Sequence, residues 1–98
     1  ENIYAMLITE PFFKTFIASK EIADSSKVTE AINAVSVESK EKVDELVEKA
    51  YEAGATKYKV TDDYGWMYSR AFEDLDGHLW EVLYIDITQA PANPSQDT

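Results

Sequence analysis

Two opposite charges set inside hydrophobic, β-forming segments are the residues best placed to do chemistry in this chain: Arg70 within Trp66–Glu73 and Glu81 within His78–Asp86. An ionised carboxylate flanked by Leu79 and Leu83 on a buried strand face costs several kcal/mol unless it is paired or metal-bound. If Asp74 to Gly77 closes a four-residue hairpin loop, Glu73 faces His78, Phe72 faces Leu79 and Arg70 faces Glu81. That register gathers Trp66, Tyr68, Arg70, Phe72, Leu79, Glu81, Leu83 and Ile85 on one face. Met67, Ser69, Ala71, Trp80, Val82 and Tyr84 fall on the other, where the small Ser69 and Ala71 leave room for a packed helix. Two readings of Glu81 stay open: a cross-strand ion pair with Arg70 that satisfies two charges, or a functional carboxylate, catalytic or metal-binding. Trp66, Tyr68, Phe72 and Leu83 beside Arg70 would suit an apolar ligand carrying an anionic group, or would simply form core. His78, next to the turn, fits a solvated or capping group better than a ligand.

The elements that must position these residues follow from periodicity. Asn2–Thr9 is a continuous apolar run of β formers, expected as a strand buried on both faces, and Thr9-Glu10-Pro11 reads as the entry to a short helix ending near Phe16. Residues 17–30 show no sustained period and form a connection. Ala31–Glu38 alternates as a strand does. Ser39 can cap a helix whose inner stripe is Val43, Leu46, Val47 and Ala50, with Glu45 and Lys49 paired outside and Gly54 ending it. Thr56–Asp62 is expected as a strand with Tyr58 and Val60 inward, followed by strands at Trp66–Glu73 and His78–Asp86. Beyond Ile87 a proline-containing, aperiodic stretch is expected to be a flexible tail.

Composition narrows the partners. Nine Lys and Arg against nineteen Asp and Glu give a net charge of -10, which opposes nucleic acid and anionic membranes. There is no cysteine, hence neither disulfide nor thiolate metal site. No apolar run reaches the ~20 residues that span a bilayer, so a cytoplasmic protein is expected. The chain opens on Glu1 and enters a strand pattern almost at once, so its natural start is expected upstream. A strand such as Asn2–Thr9, apolar on both faces, needs a neighbour, and a homodimer is expected.

The segment FEDLDGHLWEVLY from Phe72 to Tyr84, preceded by AINAVSVESKEKVDELVEKAYEAGAT, resembles the glyoxalase/bleomycin-resistance family of the vicinal oxygen chelate superfamily. The resemblance rests on the D-x-D-G-H-x-W-E pattern at Asp74, Asp76, Gly77, His78, Trp80 and Glu81. It implies an α+β fold: a β-α-β-β-β module at 31–86, its curved mixed sheet carrying the helix on the convex face, after residues 1–16 as the end of a truncated first module. It also implies a hollow for a small-molecule ligand, often completed by dimerisation. Enzymes of that family hold a divalent metal (Zn, Ni, Fe or Mn) through His and Glu side chains. Glu81 matches one such position, as metal ligand or catalytic carboxylate. Ile32, with Asn33 beside it, and Leu7 stand near others, and hydrocarbon side chains cannot ligate. The preferred expectation is therefore a metal-independent small-molecule binder. The alternatives are a metal-dependent lyase, isomerase or dioxygenase drawing further ligands from elsewhere, and a purely structural subunit.

Overall fold

The computed structural model describes residues 4–91. A short helix, α1 (Glu10–Lys14), begins where Thr9 accepts a hydrogen bond from the Phe12 N–H, with Pro11 in its first turn. Tyr4–Thr9 forms no strand, correcting the expectation for this part of the run. None of the described strands pairs with it, and Tyr4, Met6 and Leu7 are exposed. Asn2 and Ile3 lie outside the described residues.

Strand β1 (Ile32–Ser36) leads through Ser39, whose hydroxyl accepts from the Lys42 N–H at 3.0 Å, into helix α2 (Lys40–Glu52). Glu45 and Lys49 meet at 3.3 Å on its outer side, and Gly54, at φ +113°, turns the chain out of it. Strands β2 (Asp62–Asp63), β3 (Met67–Glu73) and β4 (Leu79–Ile85) follow. The sheet runs in the order β1-β4-β3-β2, with β1 parallel to β4 and the remaining neighbours antiparallel. This is an α+β architecture with one mixed four-stranded sheet.

The inner stripe of α2 packs across β3 and β4. Val43 and Val47 are fully buried against Val82, with Leu46, Tyr68, Phe72 and Tyr84 around them. Each buried valine contributes roughly 1.5–3 kcal/mol. Beyond β4 the chain turns at Asp86, whose carbonyl accepts from Gln89; residues 92–98, most of the expected tail, are outside the described residues.

Two expectations fail in the sheet. Thr56–Asp62 is not a continuous strand: Thr56 bridges Glu73, Asp62 pairs with Ser69, and the residues between are unpaired. Residues 57–61 stand against only 70–72, so the surplus chain bulges out of the ladder. Val60, expected inward, is exposed.

The β3–β4 register is also shifted by one residue. Arg70 pairs with Val82, Ala71 with Glu81, Phe72 with Trp80 and Glu73 with Leu79. The cause is Asp74. Its backbone N–H donates to the His78 carbonyl, and its Oδ1 accepts from the N–H groups of Asp76 and His78, which draws His78 into the loop. Oδ2 accepts from the Trp80 indole at 2.9 Å. Gly77, at φ +92°, lies under the 17–30 connection, where an added Cβ would come within 2.6 Å of the Ser25 carbonyl oxygen.

Candidate functional site

A one-residue register shift exchanges the sheet faces on which the residues of β4 lie relative to β3. Arg70 and Glu81 therefore project to opposite sides, and the expected pair between them does not exist. Arg70 rises toward α2, where its two terminal nitrogens meet Asp44 at 2.9 Å and Glu48 at 2.8 Å. The Tyr68 hydroxyl donates to the same Asp44 oxygen at 2.7 Å, and Phe72 stacks on Trp80, its cross-strand partner. Trp66 precedes β3 and stacks on Tyr64. The expected grouping of Trp66, Tyr68, Arg70 and Phe72 with Glu81 and Leu83 thus divides: Tyr68, Arg70 and Phe72 help join helix to sheet, whereas Glu81 and Leu83 share the face opposite α2. Ser69 and Ala71, expected under the helix, lie on that opposite face as well, paired with Leu83 and Glu81.

On this face Glu81 has a different cation. The Lys59 ammonium, carried by the bulge between Thr56 and Asp62, donates to Glu81 Oε2 at 3.3 Å and lies 3.2 Å from Asp62 Oδ2. Asp62 is opposite Ser69, and Glu81 is opposite Ala71, so the Lys59 bridge passes over β3 at those two residues. They are the most buried of the strand, at 2% and 3% exposure. Glu81 remains 22% exposed and Lys59 36%, so the ion pair is covered but reachable from solvent.

Burial alone would pull the Lys59 ammonium below its usual range, but its contact with Asp62 and the Glu81 charge hold it above. Burial first, and the charge of Glu81 second, push the neighbouring Tyr58 phenol up. Lys59, Asp62, Tyr58 and Ser69 were not singled out by sequence reasoning. The signal available was a carboxylate at position 81 that required a cation, with Lys59 in an adjoining segment as the second candidate besides Arg70.

A divalent metal does not fit these residues. The β1 residue beside Glu81 is Ala34, with Ile32 beside Leu79; neither can ligate. Leu7 lies on the unpaired stretch before α1. Among the described residues no group of three His, Cys, Asp or Glu side chains comes together to hold a metal ion. Lys59 already occupies the carboxylates that would be drawn on first. A separate groove of ≈ 320 Å³ lies near the end of α2 and the hairpin turn, lined by Ala53, Phe72, Asp74 and Leu75 among others. It is apart from the Lys59–Glu81 pair, and its Asp74 carboxylate is already engaged by the turn.

No protein-family model matches the chain, and no curated protein matches it in sequence. Solved structures do. A glyoxalase/bleomycin resistance protein/dioxygenase from Nocardioides aligns with a TM-score of 0.61 at 19% identity, over 85% of this chain and 56% of that one. A glyoxalase/bleomycin resistance protein/dioxygenase family enzyme from Burkholderia phytofirmans PsJN aligns with a TM-score of 0.55 at 21% identity, over 76% of this chain and 56% of its own. The fold is that of the glyoxalase/bleomycin-resistance proteins. A hypothetical protein from S. aureus is 33% identical over 59% of this chain and 51% of its own, with a TM-score of 0.53. The chain spans about half the length of the structures it matches. Among the described residues no helix is long and apolar enough to cross a membrane.

Proposed function

We propose that this chain is a glyoxalase/bleomycin-resistance-like protein that binds a small molecule on the sheet face opposite α2, without a divalent metal. The observation that carries this reading is the Lys59–Glu81 pair, half-covered on a face that neither described helix packs against. A lysine ammonium already neutralises the carboxylate that a metal would need, while Leu79, Leu83 and Ala34 around it offer apolar contact. The reading also assigns the exposed edge strand β1, where Ile32 and Val35 are 50% and 41% exposed, to contact with a second copy of the chain.

Isothermal titration with Zn²⁺, Ni²⁺ and Mn²⁺ tests the metal-free site. No tight binding is expected. Tight binding that disappears in Glu81→Ala would overturn the reading in favour of a metal-dependent lyase, isomerase or dioxygenase. Sedimentation that shows only monomer at high concentration would remove the second copy.

A further inference from the structure

The face opposite α2 holds a polar atom that the described residues leave unsatisfied. The Ser69 hydroxyl is buried and makes no hydrogen bond among the described residues. Such groups are rare in folded proteins, because each costs about 1–3 kcal/mol in lost hydration. Ser69 pairs directly with Asp62 on one side and Leu83 on the other, which puts it in the middle of this face, beneath the line from Asp62 to Glu81 that Lys59 spans.

The donors here exceed the acceptors. Lys59 has three N–H groups, of which Asp62 and Glu81 engage at most two. A ligand complementary to this surplus brings an acceptor oxygen. Charge limits which one: two carboxylates around a single ammonium leave the site negative, in a chain of net charge -10, so an anionic ligand is repelled. A neutral carbonyl is not.

We propose that Lys59 is the recognition group of this face, donating its remaining N–H to the carbonyl oxygen of a neutral, largely apolar small molecule. The two carboxylates fix the direction of the ammonium before binding, so little ordering is left to the ligand. Leu79 and Leu83, on the same face as Glu81, supply the apolar contact.

The proposal rests on the small-molecule reading above, and three probes of similar size separate the two. Acetophenone, ethylbenzene and benzoate are titrated into the full chain while backbone amide resonances of the sheet are followed by NMR. Acetophenone is expected to shift residues around Lys59 and Glu81 and to bind about tenfold more tightly than ethylbenzene, the contribution of roughly one hydrogen bond from a charged donor. Benzoate is expected to bind more weakly than acetophenone. Lys59→Met should erase the preference for acetophenone, and Lys59→Arg should restore part of it; unchanged circular dichroism shows that both variants fold. If ethylbenzene binds on this face as well as acetophenone does, or the preference survives in Lys59→Met, the role of Lys59 is wrong while the small-molecule site stands. If no probe shifts residues of this face, both fail.

Discussion

On the α2 side of the hairpin, Arg70 is enclosed by Asp44, Glu48 and Tyr68, with the Tyr51 ring beside it, and every partner belongs to the same helix–sheet interface. On the other side, Lys59 and Glu81 meet over β3 with the Ser69 hydroxyl left unpaired among the described residues. Both arrangements place an ion pair on a sheet face. The first has its polar groups matched and joins two elements, as a structural network should. The second leaves a buried hydroxyl unpaired among the described residues, a difference that the proposed binding face would account for. Charge on a strand is therefore a weak guide to function until its partners are known.

The sharpest way to break the contrast is to damage the closed side. Val47→Asp buries an unpaired carboxylate where exposure is 0%, and should lower stability by about 3 kcal/mol or more in urea unfolding, enough to unfold a domain this small. Asp74→Ala is expected next, at about 2 kcal/mol, because the Trp80 indole and two turn N–H groups lose their acceptor. The same residue sets an acid limb. Although burial pushes the Asp74 carboxyl up, hydrogen bonds from Trp80, His78 and Asp76 hold it below the usual range. A depressed folded pKa gives stability that is present above the unfolded value of about 3.9 and lost as the pH falls through the lower folded value. Urea midpoints measured from pH 6 downward should therefore fall less steeply in Asp74→Asn than in the parent. The smallest effect is expected for Arg70→Met, about 1 kcal/mol, since Asp44 and Glu48 are half exposed and solvent screens the pairs. Its binding of probes on the opposite face should be unchanged; a tenfold loss would mean that the two faces are not independent.

Much of the fold was legible in the sequence because periodicity and capping act locally. Ser39, the Val43-to-Ala50 stripe and Gly54 delimit α2 correctly, and Asp74 to Gly77 mark the hairpin. The faces of β4 were legible, with Val82 and Tyr84 under α2 and Glu81 away from it, but those of β3 were not. Whether His78 belongs to the loop or to the strand depends on the Asp74 side chain reaching two N–H groups, and that one residue decides whether Arg70 shares a face with Glu81. The same limit hid Lys59: its segment alternates like a strand, but the bulge between Thr56 and Asp62 brings it over Glu81. Tyr4–Thr9 has strand composition without a strand, since a ladder needs a second edge and composition cannot supply one.

The placement of Glu81 away from Arg70 underlies every assignment made for the open face. The Glu73 N–H and carbonyl both bond to Thr56, away from β4, so in the alternating ladder Ala71 and Glu81 form one of the closely approaching, non-hydrogen-bonded pairs. A two-dimensional NOE spectrum in D₂O should therefore show a strong cross-peak between the Hα protons of Ala71 and Glu81. A strong Arg70–Glu81 Hα cross-peak in its place would restore the shared face and contradict the account.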